Sequence, residues 1–312
     1  MITEDRYFHS NPPKKMRKAK VNRMTKVGFI GLGNMGLGMA QNLVKVADAL
    51  MVYDMVDEKM QMMKEAGAEL AENNEQIAKE CDVIGFSLPA PVHVRSVMET
   101  IVPLAKEGTW IIDLSTIDPA TSKDMAAYAA TKGIKYVDCP VSGGKVGAAA
   151  GELNIMVGAT EEEMEPVKKY LDCMAKKVNY MGTIGDGTSI KLINNMMSFS
   201  MAVINAEAIN MAEHMNIPLE KFYDVVLNSS GGNNNLKGKK PKVLAHDLSA
   251  NFTVNLVVKD LELAADLCRK AGIPAFSANN AIQWFRLAQA MGYADKDASS
   301  LVYIFRDLTK DV

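Results

Sequence analysis

The segment KVGFIGLGNMG, residues 26–36, constrains the fold of this chain more than any other stretch. A short apolar run leads into Gly31, Gly33 and Gly36, and the helix-like LGMAQNLVK follows. Glycines at this spacing let the backbone approach a pyrophosphate at a helix N-terminus, where unpaired N–H groups and the helix dipole favour anions. The segment therefore predicts the first strand, turn and helix of a dinucleotide-binding domain.

A second apolar run, ALMVYD, ends at Asp54, close to the position expected for the acid that binds the adenosine ribose. A carboxylate there accepts hydrogen bonds from the ribose hydroxyls and repels a 2′-phosphate. We therefore predict that NAD is the cofactor and is favoured over NADP. The alternative is that Asp54 is an ordinary turn residue at a strand end.

Strand-like and helix-like runs alternate through the first half of the chain. The strand-like runs are DVIGFSLP, TWIIDLST, KYVDCPVS and ELNIMVG, and the intervening helix-like runs include KEAGAELAENNEQIAKE and PATSKDMAAYAATKG. Such alternation predicts an α/β fold with a doubly wound parallel sheet of the Rossmann type. Ligands bind beyond the carboxyl ends of such strands, which makes Leu88, Pro89, Ser115 and Thr116 candidates for lining the cofactor.

The glycine-rich segment DCPVSGGKVGAAAGEL, residues 138–153, comes directly after a strand-like run. Successive N–H groups around Ser142, Gly143 and Gly144 can form a concave anion site, and the serine hydroxyl adds a donor. We expect this segment to hold a substrate carboxylate. A flexible loop is the alternative.

The pattern becomes helical after GTIGDG, residues 182–187. SIKLINNMMSFSMAVINAEAINMAEHM runs on almost without breakers, and LEKFYDVVLNSS, FTVNLVVKDLELAADLCRKAG and NNAIQWFRLAQAMGY are also helix-like. These runs predict a long helix that joins a nucleotide-binding domain, residues 26–186, to an all-α domain, residues 187–312.

Lys191 and Asn195 are four residues apart near the start of this long helix, so they share one helical face. A lysine near a helix N-terminus opposes the dipole, and burial would lower its pKa toward the range useful for proton transfer. A solvated surface lysine is the alternative.

Composition narrows the class of partner. Of 312 residues, 48% are hydrophobic and 23% charged, and the formal net charge is −2, so we expect a soluble protein that binds neither nucleic acid nor membrane. The four cysteines are scattered without a metal-binding spacing, which favours the cytoplasm and predicts no metal site. Residues 1–25 contain the basic NPPKKMRKAKVNR and predict a disordered arm; a targeting or nucleic-acid role for it stays open, and Met24 is a candidate for the true start.

Taken together, these motifs resemble the β-hydroxyacid dehydrogenases, typified by 3-hydroxyisobutyrate dehydrogenase. The resemblance extends from Lys26 to the C-terminus and rests on the ordered motifs GFIGLGNMG, DLSTIDP, DCPVSGGKVGAAAGEL, GDGTSIKLINN and KDLELA. It implies hydride exchange between NAD and a small anionic hydroxyacid or semialdehyde, in a homodimer or homotetramer.

The resemblance also implies roles for single residues. Lys191 would be the catalytic acid/base, Asn195 would orient the reacting oxygen, and Ser142 with Gly143 and Gly144 would hold the substrate carboxylate. Lys259 would face the site across the cleft, with Asp260 beside it, and both would bind the substrate. The implied cofactor residues are Gly31, Gly33, Asn34, Met35, Gly36, Asp54, Leu88, Pro89, Thr116 and Lys259.

Substrate identity depends on NSSGGNNNLKGKK, residues 228–240, which lies where the family contacts the distal end of the substrate. Family members that act on 3-hydroxyisobutyrate resemble one another in having bulky or aromatic residues here, whereas Asn233, Asn234 and Asn235 are amides. We expect a polar or dianionic substrate, such as 2-(hydroxymethyl)glutarate; a solvent-exposed turn is the alternative. An NADPH-dependent semialdehyde reductase and a non-catalytic nucleotide-binding relative are the competing functions.

Overall fold

A computed structural model describes residues 25–310. The prediction of a disordered basic arm therefore lies outside the described residues, except for Thr25. The first half of the chain contains a six-stranded parallel sheet with the strand order β3-β2-β1-β4-β5-β6. Its strands are β1 (Lys26–Ile30), β2 (Ala49–Tyr53), β3 (Glu69–Leu70), β4 (Val83–Phe86), β5 (Trp110–Asp113) and β6 (Lys135–Asp138).

Helices cover both faces of this sheet, which confirms the predicted Rossmann-type α/β fold. They are α1 (Gly36–Leu43), α2 (Asp57–Glu65), α3 (Asn74–Glu80), α4 (Pro91–Ile101) and α5 (Pro119–Ala130). Successive residues of a strand point to opposite faces of the sheet. Phe29 accordingly packs in one buried cluster and Ile30 in another. The strand order reverses between β1 and β4, and dinucleotides bind at such a switch point.

Two local predictions differ from the structure. The run KEAGAELAENNEQIAKE is not one helix, because Gly67 has a φ of +98° and ends α2, and the side chain of Asn73 caps the start of α3. The run ELNIMVG is a strand, but it lies outside the parallel sheet. Pro140, which has no N–H, follows β6, and the chain then enters a separate three-stranded sheet.

This second sheet has the order β7-β8-β9 and mixes antiparallel with parallel pairing. Its strands are β7 (Val141–Ser142), β8 (Leu153–Val157) and β9 (Ala175–Tyr180), and the short helices α6 (Gly144–Ala150), α7 (Glu161–Met164) and α8 (Lys168–Asp172) connect them. The strand β9 was not predicted. Its sequence, AKKVNY, has two adjacent lysines and no clear alternation of apolar and polar residues.

The rest of the described chain is helical and begins with the predicted long helix α9 (Asp186–His214). The helices that follow are α10 (Leu219–Leu227), α11 (Asn234–Leu244), α12 (Val254–Lys270), α13 (Phe276–Ala288) and α14 (Leu301–Thr309), with a π-helical turn at Gln289–Tyr293 and a 3₁₀ turn at Ala298–Ser300. One face of α9 packs in their buried cluster through Phe199, Val203 and Ile209. This confirms the predicted all-helical C-terminal domain.

Candidate active site

The glycine-rich turn between β1 and α1 is too tight for side chains at two positions. A Cβ added to Gly36 would lie 1.9 Å from the carbonyl oxygen of Gly31, and Gly31 itself has a φ of +90°. A Cβ on Gly33 would meet nothing within 4 Å, so this glycine faces open space beside the start of α1. Asn34 and Met35 complete the turn.

Asp54 follows β2 and faces this turn. One of its carboxylate oxygens accepts a hydrogen bond from the backbone N–H of Leu32, and the other accepts one from the N–H of Val56 at 2.9 Å. The next side chain, Met55, is 90% exposed. The structure thus places the predicted ribose-binding acid against the glycine loop, and an exposed apolar side chain that sequence reasoning missed lies beside it.

The loops after β4 and β5 are tied to each other. Ser115 Oγ accepts a hydrogen bond of 2.9 Å from the N–H of Leu88, and the N–H of Ser115 donates at 2.8 Å to the buried Asp113. The other oxygen of Asp113 accepts from the hydroxyl of Tyr136 at 2.7 Å. Burial raises the pKa of Asp113 to about 7, against the opposing effect of its hydrogen bonds.

Lys259, on α12, connects the helical domain to these same loops. Its Nζ donates to the carbonyl oxygens of Pro89 at 3.0 Å and Thr116 at 2.8 Å. The structure therefore brings three residues of the predicted cofactor site, Pro89, Thr116 and Lys259, into direct contact.

Ser142 ends β7, and the exposed Gly143 and Gly144 turn the chain into α6 with φ values of +141° and +65°. An L-residue rarely adopts such values, so the turn requires glycine at both positions. The predicted carboxylate-binding segment is therefore an ordered turn with accessible backbone, followed by a helix instead of a flexible loop.

The start of α9 is fixed by Asp138, a residue that sequence reasoning missed. Its carboxylate accepts hydrogen bonds of 2.8 Å from the N–H of Gly185, the N–H of Thr188 and the hydroxyl of Thr188. An acid at the end of strand β6 was the available signal. Since Asp138 caps the helix, it also sets the position of Lys191 one turn further along.

Lys191 is buried in α9, which excludes the alternative of a solvated surface lysine. Burial lowers the pKa of Lys191 to about 8; attraction to Asp260 raises this pKa, and repulsion by Lys259 lowers it. One turn along the same face, Asn195 donates from Nδ2 to Asp260 at 2.6 Å. The predicted face of α9 therefore meets the KDLELA segment of α12.

Asn233 lies away from the contact between Asn195 and Asp260. Its Oδ1 caps α11 by accepting from the N–H of Leu236 at 2.9 Å, and its Nδ2 donates to Asn205 at 2.9 Å. Asn205 is about four turns beyond Lys191 on α9. Asn235 also accepts from Asn205, at 3.2 Å, and in addition it donates at 3.3 Å to Ser198, which is closer to Lys191 along the helix.

Comparisons with known proteins agree with this architecture. The sequence of residues 26–182 matches the family described as the NAD binding domain of 6-phosphogluconate dehydrogenase. Residues 185–305 match the family described as NAD-binding of NADP-dependent 3-hydroxyisobutyrate dehydrogenase. The chain is 36% identical over 302 residues to a probable mitochondrial 3-hydroxyisobutyrate dehydrogenase of Dictyostelium discoideum, with 94% of both chains covered. It is 33% identical to the 2-(hydroxymethyl)glutarate dehydrogenase of Eubacterium barkeri, with 93% of this chain and 97% of that protein covered.

The chain belongs to the β-hydroxyacid dehydrogenase family. A solved structure of Mycobacterium tuberculosis 3-hydroxyisobutyrate dehydrogenase with L-serine superposes with a TM-score of 0.83 at 29% identity, covering 91% of this chain and 100% of that one. This β-hydroxyacid dehydrogenase is therefore an oxidoreductase with an NAD(P)-binding domain.

The residues of this β-hydroxyacid dehydrogenase fit a dinucleotide. The open space beside Gly33 leaves the start of α1 accessible to a pyrophosphate. The carboxylate of Asp54 lies against the same glycine loop, where it could accept hydrogen bonds from a ribose. Within residues 25–310, no group of three or more histidine, cysteine and carboxylate side chains could hold a metal ion. No helix in that range is long and apolar enough to cross a membrane.

Proposed function

We propose that this protein interconverts a 3-hydroxycarboxylate and its semialdehyde, with NAD as the preferred cofactor and Lys191 as the acid/base. The observation that carries the proposal is the burial of Lys191 beside Asn195 and Asp260, with its pKa lowered to about 8. A general acid/base works best when its pKa lies near the working pH. The nicotinamide, when bound, supplies or accepts the hydride.

Lys191 acts in either direction by changing its protonation state. In oxidation, the neutral amine accepts the proton of the substrate hydroxyl. In reduction, the ammonium group returns a proton to the carbonyl oxygen. Proton transfer of this kind contributes about 100- to 10,000-fold to the rate.

Asn195 orients the reacting oxygen. Its side-chain nitrogen carries two N–H groups. One of them donates to Asp260 at 2.6 Å, and the second can donate to the oxygen on which Lys191 acts. Because both residues lie on one face of α9, the oxygen would be held between them.

The carboxylate of the substrate would bind at Ser142, Gly143 and Gly144. Gly143 and Gly144 are exposed and have positive φ values, so their backbone N–H groups belong to a tight turn, and backbone turns can bind anions. The Ser142 hydroxyl adds one donor. Lys259 would close this site from the side of α12 and contact the cofactor, since it already bonds the loops that end β4 and β5.

The preference for NAD rests on the surroundings of Asp54. The residues that follow it are Met55, Val56, Asp57 and Glu58, with no arginine, serine or threonine to receive a 2′-phosphate. An NADPH-dependent semialdehyde reductase, the second candidate, would require a partner for that phosphate. A non-catalytic relative is disfavoured because Lys191 is buried and has a lowered pKa.

We propose a substrate with a second polar or anionic group, such as 2-(hydroxymethyl)glutarate or tartronate semialdehyde. Asn235 and Ser198 place polar groups beyond Asn195 on the same side of α9, and Asn233 continues this row at Asn205. Among these amides, Asn235 is better placed than Asn233 to meet a substrate held at Lys191.

The deciding experiment measures initial rates with a panel of β-hydroxyacids and their semialdehydes, using NAD(H) and NADP(H) side by side. Turnover of a substrate with a second anionic group, with NAD(H) preferred and Lys191→Ala inactive, supports every part of the proposal. Equal or better turnover of 3-hydroxyisobutyrate contradicts the substrate class. Binding of NADH without turnover of any compound contradicts the function itself.

We also propose that the protein assembles as a homodimer or homotetramer through α9. An exposed apolar stripe follows this helix at intervals of about one or two turns, with Ile204 63% and Met211 64% exposed. Its members are Ile193, Met197, Ile204, Met211 and Met215. A second copy of the chain would cover this stripe.

The proposed compartment is the cytoplasm. All four cysteines, Cys81, Cys139, Cys173 and Cys268, are free thiols, which suits a reducing environment. The mitochondrial relative makes the mitochondrial matrix the alternative.

A further inference from the structure

Asp260 is a buried carboxylate at the meeting point of α9 and α12, with 1% of its surface exposed. Its Oδ2 accepts the hydrogen bond from Asn195 at 2.6 Å, and its Oδ1 lies 2.9 Å from Nζ of Lys259. A buried carboxylate is costly unless it is paired. The charge of this carboxylate is thus paired with Lys259, and Asn195 supplies a hydrogen bond to Oδ2, whereas Oδ1 is buried without a hydrogen-bond partner among the described residues.

We propose that Asp260 is a positioning residue: it fixes the amide orientation of Asn195 and supplies a buried negative charge close to Lys191. This inference rests on the proposed function, because Lys191 and Asn195 are its reacting groups. This role differs from the substrate-binding role that the family resemblance implies for Asp260.

The hydrogen bond determines which way the Asn195 side chain faces. An amide has a donor end and an acceptor end, which can exchange places by rotation. A carboxylate only accepts, so Asp260 holds Nδ2 of Asn195 toward itself. Oδ1 of Asn195 then accepts from Nδ2 of Asn194 at 3.1 Å, which supports the same orientation.

The charge of Asp260 acts on Lys191 directly. Burial lowers the pKa of Lys191 to about 8, with attraction to Asp260 opposing this effect and repulsion by Lys259 adding to it. Two further charged groups lie near the start of α9. Asp138 caps the helix, and Lys123 packs against Gly185, with its Cε 3.0 Å from the position that a Cβ would take there. Without Asp260, repulsion by Lys259 would lower the pKa of Lys191 with no attraction to oppose it.

The test compares Asp260→Asn, Asp260→Ala and Lys259→Met with the wild-type protein. The control is Glu262→Gln, which removes an exposed carboxylate from the same helix. The first measurement is the rate at which acetic anhydride labels Lys191, followed by mass spectrometry as a function of pH, without cofactor or substrate. Because only the neutral amine reacts, the midpoint of labelling reports the protonation of Lys191.

We expect Asp260→Asn to lower this midpoint by about one pH unit or more, and Lys259→Met to raise it. Glu262→Gln should leave it unchanged. An unchanged or raised midpoint in Asp260→Asn overturns the charge role. If Asp260→Asn does not fold, Asp260→Ala takes its place, and an unchanged or raised midpoint there has the same consequence.

The second measurement separates the orienting role from the charge by steady-state kinetics. Asp260→Asn keeps an oxygen that can accept from Asn195, whereas Asp260→Ala does not. For reduction, we expect kcat to fall about tenfold in the first and about 100-fold in the second, with little change in KM. A large rise in KM with unchanged kcat would instead assign Asp260 to substrate binding.

Failure of the proposed function remains distinguishable from failure of this inference. A wild-type protein that turns over no hydroxyacid contradicts the proposed function. The labelling midpoints are obtained without turnover, so they still test the charge that Asp260 presents to Lys191.

Discussion

Nζ of Lys259 lies 2.8 Å from the carbonyl oxygen of Thr116, so a helix of the C-terminal domain is fastened to the carboxyl edge of the parallel sheet. Asp260, the next residue, receives the hydrogen bond from Asn195. Two adjacent residues of α12 thus contact both halves of the proposed site: the loops expected to hold the cofactor and the helix that carries Lys191.

Removal of the Lys191 amine should abolish most of the activity. In Lys191→Ala, we expect kcat to fall by about 100- to 10,000-fold, because the general acid/base is lost. NADH binding, followed by the fluorescence of the cofactor, should persist, because the glycine loop is separate. Lys79→Ala, which removes an exposed lysine of α3, is the matched control and should retain full activity.

The pH dependence should have opposite signs in the two directions. Because the pKa of Lys191 is about 8, kcat for oxidation should rise as the pH passes through 8, where the amine becomes neutral. For reduction, kcat should fall over the same range, because the ammonium form is lost. Rate profiles between pH 6 and 10, about two units on either side of this pKa, test the assignment. Profiles with the same sign in both directions would contradict it.

Replacement of Asp54 should weaken the preference for NAD. A carboxylate placed against a 2′-phosphate costs several kcal/mol, which corresponds to a preference of about 100-fold or more. In Asp54→Ser, the ratio of kcat/KM for NADH to that for NADPH should fall below about tenfold. Asp172→Ser, which removes an exposed carboxylate from α8, serves as the control. A wild-type protein that prefers NADPH would refute the role of Asp54.

A charge in the apolar stripe of α9 should disrupt assembly. We expect Ile204→Glu to convert the homo-oligomer to a monomer, because the carboxylate would be buried between two copies of the helix. Light scattering coupled to size-exclusion chromatography gives the mass directly. Ile273→Glu, at an equally exposed apolar position away from α9, should not change that mass. A wild-type monomer would exclude this interface.

Asp113 should make the wild-type protein less stable as the pH rises. Its pKa is about 7 in the folded state and 3.8 ordinarily, so the folded state binds more protons between these values. The stability that protonated Asp113 contributes to the folded state is fully present below pH 3.8 and is lost as the pH rises through 7. Urea midpoints of Asp113→Asn should therefore change less over this range than those of the wild type. Asp172→Asn, an exposed change, should follow the wild type.

Local sequence patterns were enough to predict most of the helices and strands and the residues that lie close together along the chain. The glycine turn, the strand that ends at Asp54, the long helix and the shared face of Lys191 and Asn195 all follow from short-range spacing and periodicity. These features depend on backbone sterics and side-chain direction, which are local. The separate sheet of β7, β8 and β9 escaped prediction because a strand pattern does not say which partner the strand joins.

Contacts between side chains from distant segments could not be read from the sequence and became visible in the folded chain. Lys259 bonds a carbonyl 170 positions away, Asn195 bonds a carboxylate 65 positions away, and Asp138 caps a helix that starts far beyond it. The capping of α11 by Asn233 and its contact with Asn205 likewise depend on how that helix docks on α9. Such contacts depend on packing between elements, and so does the burial that lowers the pKa of Lys191.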